Sequence, residues 1–228
     1  MKSSLKINKK KWTLIGFLLC VIFSAYGWFY TASTEPTTSP SLSEVVLFGI
    51  RPVKELDISH YRKDGLQCVK TYLDAVSPES YIKLQNIPLN PDNVVDVRRT
   101  NLEEQIVILF GENIRKEAQA FSSAVPLMAE WEGINEGPVD EANFTEQWLI
   151  RYPDTPIASF LYLFMAHRLR AGYETARAGH EKGLRPILAG RYKEAIDKAL
   201  SSDNPLIPCI AKDMEAQSHV YLYGQGRP

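Results

Sequence analysis

The chain has 228 residues and a mass of 25.8 kDa, and 45% of its residues are hydrophobic, enough for one folded domain of ordinary size plus an additional segment. Its formal net charge is -1, but five lysines precede the first acidic residue, Glu35, and the remainder carries 21 bases against 27 acids, a net charge of -6. Nucleic-acid binding requires a basic surface, so this composition argues against any nucleic-acid partner.

Residues 12–30 contain no charged side chain and follow a basic tail, residues 1–11. A helix of this length spans roughly 28 Å, about the hydrocarbon thickness of a bilayer. Trp12 lies at one end and Trp28 to Tyr30 at the other, where interfacial aromatic residues are common, and lysines flank only the N-terminal side. We therefore expect a single-pass helix in the lipid bilayer, with the N-terminus cytoplasmic and the rest extracytoplasmic, or periplasmic in a bacterium.

A cleaved signal peptide is the competing interpretation of this segment. Ala25 and Gly27 are small residues at suitable spacing for cleavage after Gly27, which would release a secreted soluble binding protein. Lipidation of Cys20 is disfavoured because Leu19 stands where a small residue is needed. In either case residues 31–43, rich in Ser, Thr and Pro, predict a linker to a folded domain over residues 44–223.

The first half of that domain has one ambiguous segment and two helical ones. Residues 44–50 are rich in β-branched residues, which favours a strand, but periodicity alone cannot assign so short an apolar run. Residues 59–76 have helical spacing, a short helix is expected after Pro78, and Pro and Asn predict a loop over 87–98. The capping-box pattern Thr100 to Glu103 opens an amphipathic helix whose apolar stripe is Leu102, Ile106, Phe110, Ile114, Ala118 and Phe121.

The second half predicts helical hairpins. The middle of residues 130–147 contains Gly133, Gly137 and Pro138 and predicts a loop. A helix then ends at Tyr152, before Pro153, and the next begins with Thr155 as N-cap and Pro156 at its first position. Residues 157–166 are apolar on nearly all sides and predict the centre of the core, and two more amphipathic helices precede a tail at residues 224–228. The fold class is therefore all-α, built from antiparallel helix hairpins after one N-terminal transmembrane helix.

Residues 190–196, Gly-Arg-Tyr-Lys-Glu-Ala-Ile, resemble the opening of the second helix of a tetratricopeptide repeat, and Ala199, Leu200 and Pro205 are similar to its closing residues. The resemblance covers the last third of the chain. The spacing from Ala195 to Pro205 is shorter than in that repeat, and no fixed period runs through the chain. The resemblance implies helical-repeat-like packing and a surface for a protein partner, but it assigns no functional residue.

The residues with reactive side chains form no recognised catalytic, phosphate-binding or metal-binding motif, so no cofactor or metal is predicted. His167 and Glu174 lie seven residues apart on one helical face without a third ligand. An exported domain permits a disulfide between Cys68 and Cys209, but the spacing does not show one, and two buried thiols are the preferred interpretation. The sequon at Asn143 has meaning only in a eukaryotic secretory route.

Two charged segments offer the remaining functional hypotheses. The acidic residues 130–147 include Glu130 with Glu132 and Asp140 with Glu141, pairs that could serve hydrolysis of a cell-envelope polysaccharide. The segment 168–193 is basic, with a local charge of +5. The two segments either neutralise each other across adjacent helices or are solvated faces, or the basic one is a docking surface for an acidic protein, lipid headgroups or cell-wall polymer. The candidate docking residues are Arg168, Arg170, Arg177, Lys182 and Arg185.

The interpretation that these features favour most is a membrane-anchored, extracytoplasmic helical domain that binds another protein and performs no catalysis. The polysaccharide hydrolase and the secreted binding protein remain open as alternatives.

Overall fold

The computed structural model of the protein describes residues 40–48, 61–75, 93–128 and 136–218. Within these ranges it contains eight α-helices, a short 3-10 turn at Glu112–Ile114, and no strand, so the all-α prediction is confirmed for this part of the chain. The helices are α1 (Leu42–Phe48), α2 (Lys63–Ala75), α3 (Val94–Phe110), α4 (Arg115–Ala124), α5 (Glu136–Arg151), α6 (Ala158–Ala178), α7 (Leu184–Leu200) and α8 (Leu206–Ser218).

Helix α1 begins inside the segment predicted to be a linker. The Ser41 N–H donates to Glu44 Oε2 at 2.8 Å, and the Glu44 N–H donates to Ser41 Oγ at 3.2 Å, so the two residues form a capping box. The Ser43 N–H donates to Asp213 Oδ2 of α8 at 3.0 Å. Ser41, Leu42 and Ser43 are buried. The predicted linker boundary at residue 43 is therefore wrong, and the ambiguous segment after it is helical as far as Phe48, the last of its residues that the structure describes.

Helix α3 also begins earlier than predicted. Val94 is its first residue, so the C-terminal half of the predicted loop 87–98 is helical, while residues 87–92 lie outside the described part. Thr100 lies in the middle of α3, and its hydroxyl donates to the Asp96 carbonyl. The predicted role of Thr100 as the N-cap of this helix is therefore wrong. Gly111 has a φ of 92°, which interrupts the helix and separates α3 from α4. Glycine adopts this backbone conformation without the steric cost that a side chain would impose.

The α5–α6 hairpin exists, but both of its helices differ from their predicted starts. Helix α5 begins at Glu136 with Pro138 in its first turn, a position that tolerates proline, so Gly137 and Pro138 are helical and not part of the predicted loop. Gly133 lies outside the described residues. It ends at Arg151, and α6 begins at Ala158 instead of at the predicted proline. The Thr155 hydroxyl donates to Glu117 Oε1 at 2.7 Å and does not cap α6.

Helix α6 is the central helix of the described domain, as residues 157–166 predicted. It packs along α7 and α5 and also contacts α8. Short connections join α6 to α5 and to α7, so α5 and α7 both run antiparallel to α6. Its largest fully buried side chains include Phe160, Leu161, Leu163, Phe164 and Leu169.

Helices α2 and α8 are joined covalently. The structure records a disulfide between Cys68 of α2 and Cys209 of α8, with a Cα–Cα distance of 5.9 Å that lies in the usual range for disulfides. The preferred prediction of two buried thiols is therefore wrong, and the alternative, the disulfide, is present.

Gly65 allows the first turn of α2 to approach α8 closely. A β-carbon at this position would lie 2.4 Å from Asp213 Oδ1, and Asp213 cannot withdraw easily because it is buried and accepts the Ser43 N–H. We expect Gly65→Ala to lower the free energy of unfolding by about 1–3 kcal/mol through overpacking. Urea denaturation checks this, with Gly190→Ala as the control.

The control introduces the same methyl group into open space. Nothing lies within 4 Å of a β-carbon at Gly190 in α7, so alanine there is expected to leave stability unchanged or raise it by about 0.5–1 kcal/mol. Equal effects of the two substitutions would contradict the close packing of α2 against α8.

Several predicted segments lie outside the described residues. They are the basic tail 1–11, the apolar segment 12–30, most of the linker, the short helix after Pro78 and the tail 224–228. Among the helices that the structure does describe, none has the length and hydrophobicity needed to cross a bilayer.

Candidate functional site

Glu141 is a fully buried carboxylate that connects three helices. Its Oε2 atom accepts from Arg168 Nε of α6 at 2.8 Å, and its Oε1 atom lies 3.9 Å from an Nη atom of Arg98 of α3. The guanidinium carbon of Arg168 lies 3.9 Å from the centroid of the Phe164 ring, a cation–π distance. Arg98 also donates to the carbonyl oxygen of Met128. This cluster therefore binds α3 and the segment after α4 to α5 and α6.

Glu44 forms a second buried cluster on another side of α6. Its Oε1 atom accepts from Arg170 Nε at 2.8 Å and lies 3.1 Å from His167 Nδ1. The His167 ring stacks on Phe48 with centroids 4.6 Å apart. The same carboxylate that caps α1 through Ser41 thus also fixes α1 to the central helix.

Burial and ion pairing set the pKa values of these groups. Burial by itself raises the pKa of Glu44, but Arg170 and the hydrogen bond with His167 outweigh it and hold that pKa well below its ordinary range. Burial lowers the pKa of His167 to about 3, against the opposing effect of Glu44, so the ring is neutral and donates from Nδ1. Burial also lowers the pKa of Arg168 to about 10, which leaves it protonated at neutral pH.

The neutral state of His167 predicts an acid-sensitive fold. An unfolded histidine titrates near pH 6.5, so below that pH the unfolded chain binds a proton that the folded domain excludes down to about pH 3. We expect the free energy of unfolding to fall by about 2 kcal/mol from pH 7 to pH 5. The low pKa of Glu44 adds a further loss only below about pH 4.5.

Urea denaturation at pH 7 and pH 5 measures this loss, and His167→Gln provides the comparison. Glutamine keeps a hydrogen-bond donor for Glu44 but cannot take up a proton, so the variant should lose most of the difference between the two pH values. A variant with the same difference as the wild-type chain would show that another group causes it.

Burial of Arg168 and Arg170 corrects the predicted docking surface. Both arginines are less than a tenth exposed, and they pair with Glu141 and Glu44 respectively. Residues two positions apart on a helix face different directions, so the two cannot share one surface. They are part of the core of the domain and do not face a partner.

The other three candidate residues lie nearer the surface. Arg177 pairs with Glu174 on its own helix at 3.0 Å. Arg185 is half-buried, with its guanidinium carbon 5.7 Å from the centroid of the Tyr173 ring. Only Lys182 is exposed, so the set does not form a continuous basic surface.

Some charged side chains of the acidic segment 130–147 and the basic segment 168–193 form ion pairs with each other across helices. Arg168 pairs with Glu141, and Arg191 of α7 pairs with Glu146 of α5 at 3.0 Å. The side chain of Asp140 is exposed whereas that of Glu141 is buried and ion-paired. They therefore do not face each other as an acid and a base would, and the pair Glu130 and Glu132 lies outside the described residues.

An apolar groove lies between the end of α4 and the second half of α5. Its volume is about 490 Å³, and its lining residues are Ala124, Phe144, Gln147, Trp148, Ile150 and Arg151. Phe144 and Trp148 have ring centroids 6.0 Å apart, and Trp148 lies 4.8 Å from Tyr152. Ile150 is 68% exposed and Tyr152 is 44% exposed. The groove therefore combines a concave aromatic wall with apolar side chains that face solvent.

A second groove lies beside the disulfide. It has a volume of about 330 Å³ and contains Arg62, Asp64, Lys212 and Asp213, charges of both signs. Asp213 is committed to the start of α1, and Arg62 pairs with Asp64 at 3.4 Å. The α4–α5 groove is therefore the better candidate for binding because its lining includes Ile150, an apolar side chain that is largely exposed to solvent.

Comparison with protein-family models, with curated proteins and with solved structures finds no match for the chain. The resemblance to tetratricopeptide repeats therefore stays a prediction. In the described part of the chain, no group of three or more His, Cys, Asp or Glu side chains lies close enough to hold a metal ion. His167 pairs with Glu44 and not with Glu174, the residue considered from the sequence.

The exposed aromatic groove is not predicted from the sequence, although the sequence contains a pattern that indicates its aromatic face. Phe144, Trp148 and Arg151 recur at intervals of four and three, so they share one face of a helix that ends before Pro153. The sequence does not say whether that face is covered, because the closing neighbour would come from a distant part of the chain.

Proposed function

We propose that this protein is held in a membrane by residues 12–30 and uses its extracytoplasmic helical domain to bind another protein of the cell envelope, as an interaction or scaffold module. The observation that carries the proposal is the exposure of Ile150 and Tyr152 beside the aromatic α4–α5 groove. Clustered apolar side chains in contact with water are costly unless a partner covers them, and Trp, Tyr and Arg are common at the centres of interfaces.

The disulfide supports the extracytoplasmic part of the proposal. Disulfides persist in oxidising compartments and are rare in the cytosol, so Cys68–Cys209 fits a domain on the far side of the membrane from the lysines of residues 1–11. The helical-repeat-like resemblance of residues 190–205 fits a binding module as well.

The topology is tested with a reporter enzyme fused to the C-terminus. We expect a reporter that folds only outside the cytoplasm to be active, and one that works only in the cytoplasm to be inactive. The reverse pattern would contradict the proposal. The mass of the mature N-terminus then distinguishes a retained anchor from a secreted protein, since cleavage after Gly27 removes a defined segment.

Binding is tested by affinity isolation of the tagged full chain from native membranes after mild chemical crosslinking. We expect one defined set of partners for the wild-type chain, and its loss in Ile150→Asp. The matched control is Ile187→Asp, because Ile187 of α7 is 58% exposed and is not one of the residues that line the groove. Partners retained by both variants, or lost in both, would contradict binding through the groove.

A further inference from the structure

We propose that the α4–α5 groove binds a short apolar segment of a partner protein that carries a carboxylate beside its apolar side chain. This inference rests on the proposed function and specifies the chemistry of its binding site. It depends on the shape of the groove, its apolar wall and the charge at its rim.

The shape of the groove favours a peptide segment. A volume of about 490 Å³ lies within the range of ligand pockets and has room for a few side chains. Phe121 of α4 supports the wall from behind, with its ring centroid 5.4 Å from that of Trp148. Phe121 is fully buried, so the position of Trp148 is fixed from the core side. A concave apolar wall fits a protruding side chain better than the flat surface of a bilayer.

The rim of the groove favours a carboxylate. Arg151 lines the groove at the C-terminal end of α5, and its side chain is exposed and makes no ion pair within the described residues. The contrast with Arg191 is informative, because Arg191 already has Glu146 as its partner. An arginine beside an apolar surface can bind a carboxylate through two parallel hydrogen bonds, which places the neighbouring side chain of the partner against the groove.

The ring of Trp148 is part of the groove wall. Its Nε1 atom is buried and has no acceptor among the described residues. An occupant of the groove therefore contacts the face or edge of the indole ring and not this atom, because an atom without accessible surface is out of reach of an oxygen of the occupant. Among the lining residues, Gln147 and Arg151 offer polar groups to an occupant, and Arg151 carries the charge.

The experiment is selection from a random peptide library on the full chain in detergent micelles, followed by affinity measurement on synthetic peptides. We expect selected peptides to share a large apolar residue adjacent to Asp or Glu. Replacing that acid by its amide should weaken binding to the wild-type chain about tenfold. Ile150→Asp should abolish binding, and Arg151→Gln should make the acid and amide peptides bind equally.

The control variants are Ile187→Asp and Lys182→Gln, an exposed isoleucine and an exposed base outside the groove, and both should bind the peptides as the wild-type chain does. Far-ultraviolet circular dichroism confirms that each variant is folded. Peptides without the apolar–acidic pattern, an equal affinity of acid and amide for the wild-type chain, or no selected peptide would overturn the inference.

Other occupants are distinguished by a photoreactive side chain at position 150 of the full chain in vesicles of phosphatidylethanolamine and phosphatidylglycerol. Adducts with lipid mass would overturn the inference in favour of a membrane contact, and adducts with a second copy of the chain in favour of self-association. Isolation of partners that depend on Ile150, together with failure of the peptides, would leave the proposed function standing and remove only the apolar–acidic segment.

Discussion

Replacing Glu141 by alanine is expected to lower the free energy of unfolding by about 3–5 kcal/mol, the usual cost of removing one partner of a buried ion pair. The substitution leaves Arg168 buried without its carboxylate and removes the charge that faces Arg98. The matched control is Glu146→Ala on the same helix. Glu146 also pairs with an arginine, but its side chain is 49% exposed, so we expect a loss below about 1 kcal/mol.

Urea denaturation of both variants at pH 7 measures the difference. Glu146→Ala leaves Arg191 without its carboxylate but hydrated, whereas Glu141→Ala leaves Arg168 without its carboxylate and without water. This difference in solvation causes the difference in stability. Similar losses for Glu141→Ala and Glu146→Ala would mean that the cluster around Arg168 is solvated, and would restore that arginine as a candidate for a surface contact.

Breaking the disulfide is expected to have a comparable effect. Cys68 and Cys209 lie 141 residues apart, and constraining a loop of that length in the unfolded chain stabilises the fold by about 5 kcal/mol in the chain-entropy account. Cys209→Ser should therefore lower the urea midpoint strongly, and dithiothreitol should do the same to the wild-type chain. Cys20→Ser is the control because Cys20 lies outside the pair.

Peptide mapping under non-reducing conditions verifies the bond directly. We expect one linked peptide that contains Cys68 and Cys209 and disappears on reduction. Free thiols at both positions in protein purified from its native membrane would contradict the disulfide and, with it, the main support for an oxidising compartment.

Much of the fold could be predicted from the sequence because it depends on local patterns. The apolar run at residues 157–166 and the stripe through Leu188, Tyr192 and Ile196 identify α6 and α7, since a helix with such faces must be covered. The turn at Tyr152 to Thr155 follows from the prolines on either side of Asp154. These are properties of neighbouring residues, which a single sequence displays.

The partners of buried charges could not be predicted because they come from distant residues. Arg168 and Arg170 form part of a basic run, and only the packing of α6 shows that they bind carboxylates 27 and 126 residues away. A local signal for α1 was present, however. The Ser-Leu-Ser-Glu pattern of residues 41–44 is a capping box, and it would have identified a helix where β-branched residues suggested a strand.

The groove proposed as the binding site could not be found from the sequence for a related reason. A run of basic residues is visible in a sequence whether or not the structure neutralises it, whereas an exposed apolar face looks the same as a buried one. Ile150 and Ile157 lie seven residues apart, yet the first is largely exposed and the second is fully buried. Only the arrangement of the neighbouring helices distinguishes them.

Site-specific photocrosslinking in native membranes tests most directly whether the α4–α5 groove binds a partner protein. A photoreactive amino acid replaces Ile150 in one version of the full chain and Ile187 in another, since both side chains are more than half exposed. We predict a protein adduct of defined mass at position 150 and none of that mass at position 187. Equal adducts at both positions, or no protein adduct at position 150, would contradict binding through the groove.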